Sequence, residues 1–226
     1  EKILCIESKE EGLPSVSREE IEFWRKIAGY YLCTTGEVYK AAYPRMTEGS
    51  SRLKIPLWEA PEDKIGLTEA QETAFDEIEH GFESGKPVLL DGVTGSGKTE
   101  IYLKLAMKEL REGRNVLYLV PEIALSHQLE ERIRRHIPSA AVYHSALTPA
   151  KRKLVAMQLR EGGPYFVLGT RSALFLPHRN LGLIIVDEEH DSSYKQDTPA
   201  PRYNARESAI MLAGIHGAKV LLGSAT

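Results

Sequence analysis

The residues Gly92-Val93-Thr94-Gly95-Ser96-Gly97-Lys98-Thr99 follow the pattern G-x-x-x-x-G-K-[ST], directly after the apolar run Val88–Asp91 and before a stretch of helical periodicity. Gly92, Gly95 and Gly97 let the backbone enter conformations closed to residues with a Cβ, so successive N–H groups can turn inward around phosphate oxygens. A helix beginning there points its N-terminal dipole at the same anion. Lys98 supplies a positive charge within reach of β- and γ-phosphate oxygens, and the Thr99 hydroxyl is a ligand for a Mg²⁺ bridging them. The candidate nucleotide contacts are therefore Gly92, Thr94, Gly95, Ser96, Gly97, Lys98 and Thr99, with Glu100 in the first helical turn. The alternative is a glycine-rich strand-to-helix turn with an incidental lysine. The order strand, loop, helix favours a nucleoside triphosphate.

A second group follows another apolar run. Leu183-Ile184-Ile185-Val186 carries Asp187 to the end of an expected strand, where a carboxylate can hold Mg²⁺ directly or through water. Glu188 follows where a carboxylate can polarise an attacking water. Lys98, Asp187 and Glu188 are the candidate catalytic residues, and Thr99 and Asp187 the candidate Mg²⁺ ligands. The plainer alternative is an exposed acidic turn after a buried strand.

These groups need a scaffold that brings distant loops together. Short β-branched runs at Val88–Asp91, Val116–Val120, Ala140–Tyr143, Tyr165–Gly169, Leu183–Asp187 and Lys219–Leu222 alternate with segments of helical periodicity or length. Such alternation predicts an α/β fold, a parallel sheet between helices with ligands at the carboxyl ends of the strands. Before residue 44 the composition differs. Ser17-Arg18-Glu19-Glu20 has the spacing of a capping box, and Ile21, Trp24, Ile27, Ala28, Tyr31 and Leu32 recur at helical spacing. A short apolar segment around Val38–Ala42 ends at Pro44, and residues 45–66 read as a linker.

Composition excludes several classes. The chain has 226 residues, 42% hydrophobic and 27% charged, which is ordinary for a folded domain and rules out wholesale disorder. No apolar stretch has the length of a membrane span, and the start Glu1-Lys2-Ile3-Leu4 lacks the pattern of a signal peptide, so a cytoplasmic fragment is expected. Cys5 and Cys33 are far apart without a C-x-x-C pair, against a disulfide framework and against a zinc site in these residues. The formal net charge of −3 gives no global attraction to nucleic acid, so such binding must rest on local clusters. Arg132, Arg134 and Arg135, like Lys151, Arg152 and Lys153, read as solvated helix faces.

Together, Asp187-Glu188-Glu189-His190, Gly223-Ser224-Ala225-Thr226, the loop Gly92–Thr99, Val120-Pro121-Glu122-Ile123-Ala124-Leu125 and the run from Gly169-Thr170-Arg171 to Pro177 resemble a superfamily 2 helicase of DExH type. Within that superfamily the chain is similar to the replication-restart helicases of the primosome, from about residue 15 to the last. The resemblance implies a RecA-like P-loop domain over 67–226, the first of two helicase lobes, preceded by a small partial segment. Residues 1–44 would be part of a 3′-end DNA-binding domain, best matched at Gly36–Pro44, with 45–66 as linker. It implies ATP and Mg²⁺ as cofactors and ATP-dependent, 3′-to-5′ unwinding of forked or single-stranded DNA. Partners would be primosome and single-strand-binding proteins in a bacterial cytoplasm, near the nucleoid, with no membrane.

Individual roles follow from the same resemblance. Gln71 is similar to the Gln that reads adenine, although Thr68-Glu69-Ala70-Gln71 also fits a capping box. Pro121, Thr170 and Arg171 would grip a DNA strand by its phosphates, with a surface ion pair as the alternative for Arg171. His190, Gln196, Ser224 and Thr226 would couple nucleotide to DNA. Asp191–Arg206 looks like an aromatic loop in which Tyr194 and Tyr203 offer stacking faces, and Lys195, Arg202 and Arg206 charge. Pro201 stands where some relatives carry Trp, and Met157 likewise, the latter read as a packing change. The arginine of the second lobe, the paired cysteines that bind zinc in the family and an inserted winged helix have no counterpart here. Weak ATP binding and very slow hydrolysis are therefore expected. A phosphate-loop kinase or G protein would share Lys98 and Thr99 but gives no reason for Asp-Glu-Glu-His followed by Gly-Ser-Ala-Thr. A non-catalytic DNA- or partner-binding fragment is the other alternative.

Overall fold

The computed structural model describes residues 15–42, 65–93 and 95–225. Thr94, Thr226, Cys5 and nearly all of the expected linker lie outside them. The elements run α1 (Arg18–Tyr30), α2 (Thr35–Ala42), α3 (Glu69–Phe82), β1 (Val88–Asp91), α4 (Lys98–Arg111), β2 (Asn115–Leu119), α5 (His127–His136), β3 (Ala141–Tyr143), α6 (Pro149–Glu161), β4 (Phe166–Gly169), β5 (Leu181–Val186), α7 (Ala205–His216) and β6 (Lys219–Ser224). The strands form one sheet in the order β1-β6-β5-β2-β4-β3, every neighbouring pair parallel. This is the α/β architecture that the alternating pattern predicts, with strand ends shifted by a residue or two.

Strands β2, β4 and β5 are buried along their whole length, which is why their sequences are continuous apolar runs rather than alternating ones. Alternate side chains feed two cores. Leu117, Leu119, Val167, Ile184 and Val186 face α1, α2, α6 and α7, whereas Val116, Tyr118, Phe166, Leu168 and Ile185 face α3, α4 and α5. The helices thus cover both faces and leave the loops at the carboxyl ends of the strands together.

Helix starts are set by local chemistry. Ser17 Oγ accepts from the Glu20 N–H while Glu20 returns a bond to the Ser17 N–H, a reciprocal capping box. The buried face of α1 is Phe23, Trp24, Ile27 and Ala28; Ile21 is exposed and Leu32, past the helix end, is 92% exposed. Trp24, Ile27 and Ala28 are buried as the helical spacing predicts, but Phe23 rather than Ile21 forms the inner edge and meets Phe175 at 5.6 Å between ring centroids. Arg160 of α6 pairs with Glu20 at 2.9 Å, both side chains nearly buried, and ties α1 to the sheet. Helices α1 and α2 therefore share a core with the lobe. Met157 is 43% exposed, so it fills no core gap, contrary to the packing role expected of it.

At the amino ends of β5 and β6, buried Glu109 receives Arg114 and Lys219, the latter at 2.9 Å. Burial pushes its carboxyl up, but the hydrogen bonds and charges of Arg114 and Lys219 more than reverse this and hold it below the usual carboxylate range. A Cβ on Gly182 would overlap this group, and the β2–β5 register shifts beside it. Glycine is what lets β5 pass.

His178 is buried in the turn after β4. Its Nε2 lies 2.9 Å from the Ala173 carbonyl, which makes Nε2 the donor and leaves Nδ1 to accept from the Tyr165 hydroxyl at 3.1 Å. Burial lowers its pKa to about 3 from 6.5, so the folded chain holds it neutral. Below pH 6.5 the unfolded chain takes up a proton that the native one refuses, and stability must fall with pH. Urea unfolding from pH 6.5 to 4.5 should lose up to about 1.4 kcal/mol per pH unit to this group. In His178→Gln that increment should vanish, even though the variant starts from lower stability.

Candidate nucleotide and nucleic-acid site

The loop after β1 turns through left-handed backbone at Gly95 (φ +82°) and Gly97 (φ +85°), a region that disfavours any side chain. A Cβ on Gly97 would also overlap the Gln71 amide, whose Nε2 donates to the Gly97 carbonyl at 3.3 Å. Gln71 Oε1 meanwhile accepts from the Thr68 N–H at 2.9 Å, so the capping box of α3 is present. The amide is thus shared between the start of α3 and the phosphate loop. Lys98 is 8% exposed, and its ammonium donates to the Gly92 carbonyl at 2.5 Å, bent over the loop it belongs to. Among the described residues no carboxylate lies within ion-pair distance of it. A buried ammonium on a ring of inward-turned backbone suits a polyphosphate tail. Glu100 pairs with Arg132 of α5, which fastens the first turn of α4 to its neighbour while that arginine stays on the exposed helix face expected for it.

Three loops meet beside Lys98. The Gly92 N–H donates to the Ser224 carbonyl at 3.1 Å, and the Glu189 N–H to the Gly223 carbonyl at 2.8 Å, so the ends of β1, β5 and β6 are stitched by main chain. Asp187 sits at the mouth of β5. Its Oδ1 accepts from the Tyr102 hydroxyl at 3.1 Å and the Glu188 N–H at 3.1 Å, its Oδ2 from the Tyr118 hydroxyl at 3.0 Å. Burial first, and the Asp187 charge second, push both phenols well above the ordinary tyrosine range, so both stay protonated donors. Glu188 adopts φ +47°, and its carboxylate lies 3.8 Å from His190 Nε2. His190 Nδ1 lies 3.4 Å from Ser224 Oγ, joining two of the expected coupling residues.

One or two carboxylates plus phosphate oxygens are the usual holders of Mg²⁺, so Thr99 and Asp187 fit that ion. Among the described residues no cluster of His, Cys, Asp and Glu offers a dedicated metal cage.

The segment after His190 departs from expectation. Tyr194 and Tyr203 are each 1% exposed, so neither ring is available as a stacking surface. The Tyr194 hydroxyl donates inward, 2.5 Å from the Asp187 carbonyl and 3.1 Å from that of Leu119. Tyr203 stacks edge-on against Phe175 at 5.0 Å. Buried apolar neighbours outcompete solvent for both rings, and nothing in the local pattern Ser-Ser-Tyr-Lys-Gln distinguished an inward from an outward ring. Lys195 and Arg202 remain exposed, and Lys195 Nζ bonds the Arg202 carbonyl at 2.9 Å. Gln196 donates to the carbonyls of Pro199 and Pro201 and shapes the tip of the loop. Arg206 pairs with Glu189 at 2.6 Å, so its charge is spent on the acidic turn.

Pro121 and Thr170 are buried, and the Thr170 Oγ1 has no partner. Arg171 donates to the Ser193 carbonyl at 2.5 Å and lies 4.0 Å from Glu122. It bridges two loops rather than standing free. Residues that the sequence did not single out complete the constellation. Tyr102, Tyr118 and Tyr31 read as helical or strand apolar positions, and only their hydroxyls, meeting partners 69 to 176 positions away, give them a place at the site.

Against known proteins, the DEAD/DEAH box helicase family matches residues 68–226. The chain is 39% identical to the replication restart protein PriA of Rickettsia prowazekii over 228 aligned positions, covering all of this chain and 34% of that protein. It is 50% identical to PriA of Haemophilus influenzae over 167 positions, 73% of this chain and 22% of the relative. The chain thus spans about a third or less of these relatives. Among solved structures it is similar to RecG bound to a three-way DNA junction, with TM-score 0.53 and 22% identity over 90% of this chain and 27% of that one. The Hef helicase domain of Pyrococcus furiosus gives TM-score 0.51 at 18% identity over 74% of this chain and 34% of the other. These likenesses establish a RecA-like fold.

The inward Tyr203 sets an expectation for stability. Tyr203→Ala should cost about 3–5 kcal/mol in urea unfolding, as truncating a buried aromatic does. A loss under about 1 kcal/mol, typical of an exposed position, would contradict the packing described.

Proposed function

The chain belongs to the DEAD/DEAH box helicase family, and from that premise we propose that it is the ATP-binding first lobe of a replication-restart DNA helicase. Its relatives named replication restart protein PriA support the biological setting, and the helicase domain implies use of ATP and Mg²⁺. The observation that carries the reading is the stitching of three loops, Gly92–Lys98, Asp187–His190 and Gly223–Ser224, by main-chain bonds at one end of the sheet. Such a convergence suits a ligand met from three sides.

In this reading Gly92–Thr99, with Ser96 and Thr94 among them, cradle the phosphates of ATP, and Lys98 leaves the Gly92 carbonyl to neutralise the β/γ oxygens. Gln71, already against the loop, orients the adenine. Thr99 and Asp187 would hold Mg²⁺, which would supply charge neutralisation at the transferred phosphoryl group. Glu188 positions the attacking water. His190, Gln196, Ser224 and Thr226 pass the state of the nucleotide to the DNA side.

DNA would lie over the carboxyl ends of β2, β3 and β4, where an open groove of ≈ 420 Å³ is lined by Glu122, Ser126, His144, Ser145 and Thr170 among others. Pro121, Thr170 and Arg171 border it, with Lys195 and Arg202 as the exposed cations of the neighbouring loop. Contacts of this kind position a strand without reading its sequence. Residues 67–226 form the lobe and 1–44 part of a 3′-end DNA-binding domain. Unwinding with 3′-to-5′ polarity, primosome partners and a place at forks near the nucleoid belong to the longer protein. No helix among the described residues is long and apolar enough to cross a membrane.

Calorimetry with ADP and Mg²⁺ tests the core of this reading. Lys98→Ala should weaken binding roughly 10- to 100-fold, the worth of a charged hydrogen bond to phosphate. Equal affinity in the two chains would overturn it.

A further inference from the structure

We propose that Tyr102 and Tyr118 are positioning residues that aim the Asp187 carboxylate at the metal of the nucleotide complex. The inference rests on the nucleotide-site reading above and adds to it a pair of phenols that do not touch the ligand.

A carboxylate offers about four acceptor sites, two on each oxygen. In Asp187, Oδ1 is filled by the Tyr102 hydroxyl and the Glu188 N–H, whereas among the described residues Oδ2 takes only the Tyr118 hydroxyl. The acceptor site left for a cation or its water therefore lies on Oδ2. Both donors are fixed. Tyr102 and Tyr118 are fully buried, their rings edge-on at 5.6 Å, and Tyr118 leans on Phe166 at 6.3 Å. Packing of that kind locks each ring, so each hydroxyl sits where the ring puts it.

The two phenols come from informative places. Tyr102 stands three residues after Thr99 on α4, and residues at that spacing share a helix face. Its bond to Oδ1 therefore sets the distance between the two expected metal ligands, Thr99 on the phosphate-loop helix and Asp187 on β5. Tyr118, on the strand beside β5, fixes the rotation of the carboxylate about its own axis. Room for the contact is built into β6 as well. A Cβ on Gly223 would overlap the Tyr102 hydroxyl and lie 2.9 Å from Asp187 Oδ1, so glycine at this position keeps the bond possible. A hydroxyl used only for filling space would be replaced without loss by the same ring lacking it; here each hydroxyl ends on a carboxylate.

The test uses Tyr102→Phe, Tyr118→Phe and the double variant in the full 226-residue chain. Each keeps the ring packing and removes one donor. ADP affinity is measured by calorimetry in EDTA and across a Mg²⁺ titration, and Mn²⁺ bound with ADP is followed by electron paramagnetic resonance. The Mg²⁺ midpoint should move to roughly 10- to 100-fold higher concentration in the double variant, as for other outer partners of metal ligands, while metal-free ADP affinity stays unchanged. The Mn²⁺ spectrum should broaden or change symmetry in step. An unmoved midpoint in a variant whose melting curve is cooperative overturns the inference, as does a loss of ADP affinity equal with and without metal, the mark of a merely structural role. Should Tyr118→Phe fail to fold, Tyr102→Phe gives the same comparison. If the unaltered chain itself binds no ADP, the nucleotide-site reading falls and takes this inference with it; binding with an unmoved midpoint in the variants removes the inference alone.

Discussion

A charged carboxylate at the mouth of a strand buried on both faces has to be met by donors, and the organisation of this molecule follows from how Asp187 is met. Water reaches only part of it, so the lattice of side chains beneath supplies what solvent does not. Two tyrosines and a backbone N–H do so from α4, β2 and β5 itself, and the Asp187 N–H is tied to the Leu119 carbonyl at 3.0 Å. Elements far apart in sequence thereby acquire a common reference point. The phosphate loop is referred to the same point through Gly92 and Ser224, and the acidic turn through Glu189 and Gly223.

From that point the order extends outward along the loop after His190. Tyr194 enters the core beneath Asp187, which fixes the near end of the loop to the end of β5. The far end is held by α1. The Tyr31 hydroxyl reaches the Glu207 carboxylate at 2.8 Å and accepts from the Asn204 N–H at 3.0 Å, while Lys195 lies over the Tyr31 ring at 5.6 Å. Burial is the main reason the Tyr31 phenol is pushed up to about 12, so it remains a donor at neutral pH. Between these anchors Arg171 takes the Ser193 carbonyl. The loop is consequently braced on three sides, and what it exposes is the short proline-rich tip with Lys195 and Arg202.

Much of this was legible in the sequence. Six apolar runs separated by helical stretches matched the strands to within two residues, because the central strands, buried on both faces, need uninterrupted apolar side chains. The phosphate loop and the acidic turn were legible because their residues are contiguous. The two capping boxes were legible for the same reason, each being closed within three residues. What escaped was everything decided by partners at long range. The pattern of α1 admitted Ile21 or Phe23 as its inner edge, and only Phe175 decides between them. Tyr194 and Tyr203 look like surface aromatics in a polar stretch, and their burial depends on Phe175, Leu119 and Asp187. Gln71 was readable both as a cap and as a nucleotide contact; the cap is present, and the bond of the same amide to the Gly97 carbonyl, 26 positions away, was not readable from the local pattern.

Glu188 explains why the bracing has to be so extensive. A glutamate at φ +47° is held in a region that costs of order 1–3 kcal/mol and is kept only where neighbours over-determine it. The residues on both sides are indeed fixed by main chain: Asp187 to Leu119, Glu189 to Gly223, and the Asp191 N–H to the Glu188 carbonyl itself at 2.8 Å. Relaxing Glu188 to the ordinary helical or extended region would swing the following residues away from β6 and break the bond to Gly223. That bond is also the one that joins the acidic turn to the strand bearing Ser224. The strained glutamate and the alignment of β5 with β6 are therefore one arrangement, and a change that relieves the first must misplace the second.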